Sequence, residues 1–306
     1  MSGAAPSGWH TGPVTHGRAE IHQLLLANDL RPSKALGQNF VADGNTVRRI
    51  ARLSGVGPGS RVVEIGAGLG SLTLALAEVG ASVTALEIDP QVLPVLRTQV
   101  EPFGVRVVAA DARTVDFTGL LGDEPGWSLV ANLPYKVAVP LVVRVLEEAP
   151  QIASLLVMVQ REVGERLAAT AREEAFGAVS VKVAYWVTAS VIGRVSASVF
   201  IPRPRVESVL VRLDRHPVGG DGEGGTLPGP GSDAYDRLFA VVRGGFAHRR
   251  KMVRRSLEHL VDPRAFAAAG IDPTARAEEL SLDAWKRLAW WQPGTAAELT
   301  PTGTQR

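Results

Sequence analysis

Arg61-Val62-Val63-Glu64-Ile65-Gly66-Ala67-Gly68-Leu69-Gly70-Ser71 is the stretch whose reading decides the fold. A short apolar strand pattern runs into a loop with glycine at every second position. Ser71 then opens a helical pattern carried by Leu72, Leu74, Ala75 and Leu76. Working outward, Ser82-Val83-Thr84-Ala85-Leu86 reads as a second strand ending at Glu87-Ile88-Asp89, and Val105 to Ala110 as a third ending at Asp111. Trp127-Ser128-Leu129-Val130-Ala131 is a fourth, closing at Asn132-Leu133-Pro134-Tyr135, and Ser154 to Val159 a fifth. Strands alternating with helical stretches predict an α/β chain with a doubly wound, parallel sheet and right-handed crossovers.

The flanks are organised differently. Residues 1–17 are rich in Gly, Ser, Pro and Thr and are expected to form a disordered tail. A helix is expected from Arg18 to Asn28, and another carrying Val47, Ile50, Ala51 and Leu53, capped by Asp43 or Asn45. After a helix from Arg161 to Ala171, the runs Val181–Val187, Val191–Val195 and Val206–Leu213 read as strands. Residues 214–233 form a Gly- and Pro-dense linker, and 234–306 a small helical domain in which Trp285, Trp290 and Trp291 are expected to fill the core. The main α/β domain is thus expected over 18–213.

Composition excludes several chemistries. The 306 residues contain no cysteine, so disulfides, thiolate zinc and cysteine nucleophiles are ruled out. Six scattered histidines give no metal spacing with carboxylates, and no metal is expected. No apolar stretch approaches the roughly 20 residues of a membrane span, and Leu24-Leu25-Leu26 is too short for a signal core. A cytoplasmic protein is expected. A net charge of +2 conceals a cluster: Arg243, Arg249, Arg250, Lys251, Arg254 and Arg255 have no acid among them. That pattern suits phosphate contact, although a solvated helix face would look the same.

Polar residues end four successive strand patterns, and in open α/β sheets ligands collect at the carboxyl ends of strands. The Gly66-x-Gly68-x-Gly70 spacing departs from the dinucleotide fingerprint, which argues against a nicotinamide oxidoreductase. With Glu64 beside it, the loop suits a zwitterionic or cationic ligand. Glu87 can accept from ribose hydroxyls and Asp111 from an adenine amine. Asn132 and the Pro134 carbonyl can accept from an exocyclic amine, and Tyr135 offers a face for a planar base. Singly, each acid could be a solvated loop residue and Tyr135 core filling; together they suggest one crevice.

These motifs resemble class I (Rossmann-like) S-adenosylmethionine-dependent methyltransferases. More closely they resemble the rRNA adenine dimethyltransferases, which include small-subunit dimethyladenosine transferases and macrolide-resistance enzymes. The markers are Gln38-Asn39-Phe40, Glu64-x-Gly66-x-Gly68-x-Gly70-x-Leu72-Thr73, Glu87-x-Asp89, Asn132-Leu133-Pro134-Tyr135, Val159-Gln160-x-Glu162-Val163 and Phe200-x-Pro202-x-Pro204-x-Val206-x-Ser208. Phe246-x-x-Arg249-Arg250-Lys251 followed by Ser256-Leu257 resembles the small-subunit branch, as does Ala275 to Ser281. Ala67 stands where many relatives have Pro, and Lys136 where Asn or Ile is common.

The resemblance implies S-adenosyl-L-methionine as cofactor, held by Asn39, the Val41 backbone, Gly66, Glu87, Asp111 and Asn132. It implies that Asn132, Pro134 and Tyr135 hold the target adenine while Phe200 covers its other face. Arg249, Arg250, Lys251, Arg254 and Arg255 would contact RNA. The implied reaction is N6,N6-dimethylation of two adjacent adenosines near the 3′ end of small-subunit (16S) rRNA, on a pre-ribosomal particle, by a monomer. The alternatives are a large-subunit methyltransferase of the resistance type and a non-catalytic ribosome-assembly factor on the same fold.

Overall fold

The computed structural model describes residues 15–216, 227–248 and 250–293, which divide into two compact units. The first comprises residues up to Arg161 together with Val191–Arg212, and the second Glu162–Ser190 together with the chain from Leu213 onward. Nine strands occur in the described chain: β1 (Phe40–Val41), β2 (Arg61–Ile65), β3 (Ser82–Glu87), β4 (Arg106–Ala109), β5 (Trp127–Asn132), β6 (Ile152–Gln160), β7 (Val187–Val195), β8 (Phe200–Ile201) and β9 (Ser208–Arg215).

Seven of them form one sheet in the order β4-β3-β2-β5-β6-β9-β7, and the pairs from β4 through β6 are parallel. From β2 the chain steps outward to β3 and β4, then returns to lay β5 and β6 on the other side. The order therefore reverses between β2 and β5, and it is at such a switch point that an open sheet leaves a crevice. Both strands are buried on both faces: Val62, Val63, Leu129, Val130 and Ala131 are at most 1% exposed. That explains why their sequences read as continuous apolar runs.

Local signals set the elements that frame this crevice. Helix Gly44–Ser54 starts at Asp43, whose side chain accepts from the Thr46 N–H, and stops at Gly55 in the left-handed region. Helix Ser71–Glu78 follows the glycine loop directly. At Gly70, φ is +87° and a Cβ would stand 2.7 Å from Val100 Cγ1, so glycine is required twice over.

The structure alters several sequence expectations. Val181–Val187 is not a strand: Ala178–Trp186 is a helix, with Val181 and Tyr185 in the core of the second unit. Glu162–Ser190, expected in the α/β domain, packs with the second unit. Thr15 and His16 are 5% and 7% exposed, so the packed chain begins before residue 18; residues 1–14 lie outside the described residues. The linker is shorter than 214–233, because β9 runs to Arg215 and Ser232 caps helix Asp233–Phe246. Residues 217–226 of it lie outside the described residues. The antiparallel pair β1–β8 had no sequence signal.

In the second unit, helix Asp233–Phe246 packs on helix Leu282–Trp290. Trp285 is fully buried there, as expected, whereas Trp290 is 37% exposed and donates its indole N–H to the Ala234 carbonyl at 2.9 Å. Gly245 lets the helices approach: a Cβ would stand 2.4 Å from the Trp285 ring. Gly245→Ala should therefore destabilise the protein by about 1–3 kcal/mol through overpacking. The check is the denaturant midpoint followed by tryptophan fluorescence; an unshifted midpoint would mean that the ring can give way.

Candidate active site

At the carboxyl ends of β2, β3 and β5 lies an open cleft lined by residues 36–41, the glycine loop, Glu64, Glu87 and Asn132 to Tyr135. It shares Leu36, Gly37, Gly66, Ile88 and Pro134 with a second hollow that reaches Asp111, Arg113 and Lys136. Asn39, Val41, Gly66, Glu87, Asp111, Asn132, Pro134 and Tyr135 thus line one connected surface within the first unit.

Glu87 is its anchor. One carboxylate oxygen accepts from the Gly68 N–H at 2.8 Å, and the other from the Ile88 and Asp89 N–H groups at 2.9 Å each. Burial pushes its pKa up, and these three amides oppose the shift by favouring the anion. Asp89 turns to the N-terminal segment: Gln38 donates its amide to Asp89 at 2.7 Å while accepting from the Ser33 N–H. Phe40 packs over the glycine loop, so that a Cβ at Gly68 would stand 3.0 Å from its ring. The Gln38-Asn39-Phe40 motif is therefore a strap across the strand ends.

Asn39 completes the strap. Its backbone carbonyl accepts the Asn132 amide N–H at 3.0 Å, and a carbonyl can accept only from the nitrogen of that amide. The orientation of Asn132 is fixed, and its Oδ1 remains as an acceptor at the end of β5. The Pro134 carbonyl is less free than expected: it accepts from the Val137 N–H at 3.1 Å, leaving one lone pair. Tyr135 is half-buried, and its hydroxyl pairs with Ser208 Oγ at 3.0 Å, which holds the ring from its polar end. Burial, the larger cause, raises its pKa, so the phenol stays protonated at neutral pH.

Asp111 is engaged with Arg113, which donates to both its oxygens at 2.7–3.1 Å and, with the Arg113 backbone N–H, lowers its pKa. A ligand amine at Asp111 would use the lone pairs that remain.

Phe200 is not in the cleft. It pairs with Val41 across β8 and β1 and is 1% exposed inside the main core, so its ring has no free face for a base. The basic cluster belongs to the second unit. Arg243, Arg250, Lys251, Arg254 and Arg255 are all exposed, and none forms a salt bridge among the described residues. Arg249 lies outside the described residues. No group of three or more His, Cys, Asp or Glu residues able to hold a metal occurs among the described residues.

Sequence reasoning missed the partnerships of Ser208 and Gln38, which only the folded chain brings to Tyr135 and Asp89. It linked Glu64 to a zwitterionic or cationic ligand but did not place it among the residues holding the cofactor. Glu64 is 2% exposed, lines the cleft, and has an Oε2 without a hydrogen-bond partner. Burial raises its pKa to about 8; the nearby Thr73 hydroxyl lowers it and Glu87 raises it further.

The chain is similar to known proteins. The family model described as ribosomal RNA adenine dimethylase matches residues 30–292. The ribosomal RNA small subunit methyltransferase A of Bifidobacterium adolescentis is 41% identical over 92% of this chain and 95% of its own length. The protein of the same name from Leifsonia xyli is 44% identical over 89% and 97%. Among solved structures, the 23S rRNA methyltransferase ErmE aligns with a TM-score of 0.63 at 26% identity, over 82% of this chain and 98% of that one. A dimethyladenosine transferase from Plasmodium falciparum shares the fold, with a TM-score of 0.64 at 19% identity over 80% and 94%. On this match the chain belongs to the ribosomal RNA adenine dimethylase family.

Proposed function

We propose that the chain dimethylates N6 of two adjacent adenosines near the 3′ end of small-subunit rRNA, as a cytoplasmic monomer acting on a pre-ribosomal particle. The small-subunit names of its relatives and the Phe246–Leu257 motif support that substrate. The residues present fit S-adenosyl-L-methionine, the donor used by this family. Among the described residues no Lys, Arg or His lines the cleft itself, where Glu87 and the orphaned oxygen of Glu64 lie; Arg113 and Lys136 line only the adjoining hollow that reaches Asp111. Such a lining favours a ligand with net positive charge. Asn39, the Val41 backbone, Gly66 and Glu87 would hold the cofactor, with Asp111 toward its adenine; when bound, it supplies an electrophilic methyl on a sulfonium.

The observation that carries the chemistry is the Asn132 amide, tied by its nitrogen to the Asn39 carbonyl. An adenine N6 amine is a poor nucleophile because its lone pair is delocalised into the ring. An acceptor at Asn132 Oδ1 and the free lone pair of the Pro134 carbonyl each take one N6 hydrogen and turn the nitrogen lone pair toward the methyl. Tyr135, pinned by Ser208, holds the base by stacking, worth about 1–3 kcal/mol. The target must be unstacked from its RNA to enter, which suits a loop or single strand. The reading is tested by methyl transfer to small and large subunits from cells lacking the endogenous activity, with the modified bases mapped. Methylation confined to the large subunit would overturn it.

Asn132→Ala should slow single-turnover methylation by about 100-fold or more, the cost of a misaligned nucleophile, with RNA affinity nearly unchanged. Tyr135→Ala should also be severe. Tyr135→Phe should retain much activity, losing only the Ser208 hydrogen bond, about 0.5–1.5 kcal/mol. Rapid turnover by Asn132→Ala would remove the alignment mechanism.

Replacing Arg250, Lys251 and Arg254 together by Ala should weaken RNA binding and flatten its salt dependence by roughly 0.7–0.9 in log–log slope per lost phosphate contact. Filter binding across a salt series measures this; an unaltered slope would identify the cluster as a solvated face.

A further inference from the structure

Glu64 is the one group lining the cleft whose surroundings contradict its charge. It is the fourth residue of β2, 2% exposed, with Oε2 free of any hydrogen-bond partner. Thr73, from helix Ser71–Glu78, is its nearest hydroxyl; that Oγ is fully buried and is likewise not aligned on any partner. From β3 comes the Glu87 carboxylate, whose charge raises the Glu64 pKa further, and from β5 the neutral amide of Asn132. Among the described residues no cationic side chain lines the cleft; Arg113 and Lys136 line the adjoining hollow. The amides that favour an anion are all on Glu87, and the Asp89 carboxylate is taken by Gln38 and by the Gln91 N–H. Glu64 therefore holds a proton in the empty cleft, because burial pushes its pKa up to about 8 and its Oε2 has no hydrogen-bond partner to favour the anion.

We propose that Glu64 is a specificity-determining residue that takes up the cationic methyl donor in exchange for a proton, and so distinguishes the sulfonium cofactor from its neutral thioether product. The inference rests on the reading of the cleft as the cofactor site. On binding, the protonated carboxyl releases H⁺ to solvent and the resulting carboxylate faces the cation. On transfer, the N6 lone pair forms the new N–C bond, the S–C bond breaks with its electron pair going to sulfur, and N6 loses a proton to solvent. The product carries one positive charge fewer, so Glu64 regains a proton from solvent and the attraction holding the spent cofactor falls.

The sign of the pH dependence follows. In the free protein Glu64 titrates near pH 8, and beside a cation it titrates lower. Binding therefore releases a proton below pH 8, and donor affinity rises with pH up to about 8 before levelling. Cofactor-free stability moves the opposite way. The folded pKa of about 8 lies above the ordinary 4.5, so stability relative to Glu64→Gln falls as pH rises between those values.

Isothermal titration of the full chain with S-adenosylmethionine and with S-adenosylhomocysteine, in two buffers of different ionisation enthalpy at pH 7, is the test. Wild type should release close to one proton with the donor and distinctly less with the product. Glu64→Gln should release none beyond what the ligand's own amine contributes, and its donor-to-product affinity ratio should fall several-fold. Donor binding by wild type with no more proton release than by Glu64→Gln would overturn the inference while leaving the cofactor site standing. Absence of donor binding, or binding indifferent to Glu87→Gln, would instead overturn the cofactor site itself. Should Glu64→Gln fail to fold, equal proton release by wild type for donor and product would decide against the exchange.

Discussion

The carboxylate of Glu87, held by three backbone N–H groups, is the interaction on which the site depends. Gly68, Ile88 and Asp89 belong to two different loops, and a single buried anion fixes both at 2.8–2.9 Å. Hydrogen bonds to a charged acceptor are each worth about 1.5–3 kcal/mol, and losing the acceptor would leave buried donors unsatisfied. The glycine loop therefore has a defined shape before any ligand arrives. Residues 38–40 then fasten to what Glu87 has organised, through Asp89, through Asn132 and over Gly68. Ligand recognition on such a prepaid frame loses little to loop ordering.

Much of this was legible because strand ends and caps are local signals. Apolar runs closing at Glu87, Asp111 and Asn132 marked the strands of a parallel sheet, and Asp43 marked a helix start. The glycine loop announced a close backbone approach, and the structure gives its cause at Gly70 beside Val100. What the sequence could not show are partners brought together by the fold. Ser208 meets Tyr135, and Gln38 meets Asp89, across 73 and 51 residues.

The misread elements have physical causes as well. Val179-Ser180-Val181-Lys182-Val183 alternates like a strand and is rich in β-branched residues, yet it is helical. Ser180 donates to the Arg166 carbonyl at 2.6 Å, and Lys182 lies over the Phe239 ring at 4.9 Å, so tertiary contacts accept both faces of the segment. β-propensity is decided by such surroundings more than by the backbone. Phe200 misled in a different way. An aromatic residue in a motif near a base site suggests stacking, but two short antiparallel strands, β1 and β8, turn its ring into the core. Its effect on the site is indirect, through Val41, which it pairs and which lines the cleft.

The net charge of +2 describes neither working surface. The cleft lining has carboxyls and no cation, while the second unit carries exposed arginines and lysine from 243 to 255 without salt bridges among the described residues. A reaction between a cationic methyl donor and a polyanionic nucleic acid needs this sorting. Cations lining a site would repel a cationic donor, and carboxylates on a surface that met RNA would repel its backbone. Burying acids in the cleft solves the first problem at the cost of desolvating them. Glu87 meets that cost with backbone amides, whereas at Glu64 burial pushes the pKa up to about 8. Two carboxyls at adjacent strand ends thus differ in support: Glu87 has three backbone N–H donors, and Glu64 only the nearby Thr73 hydroxyl.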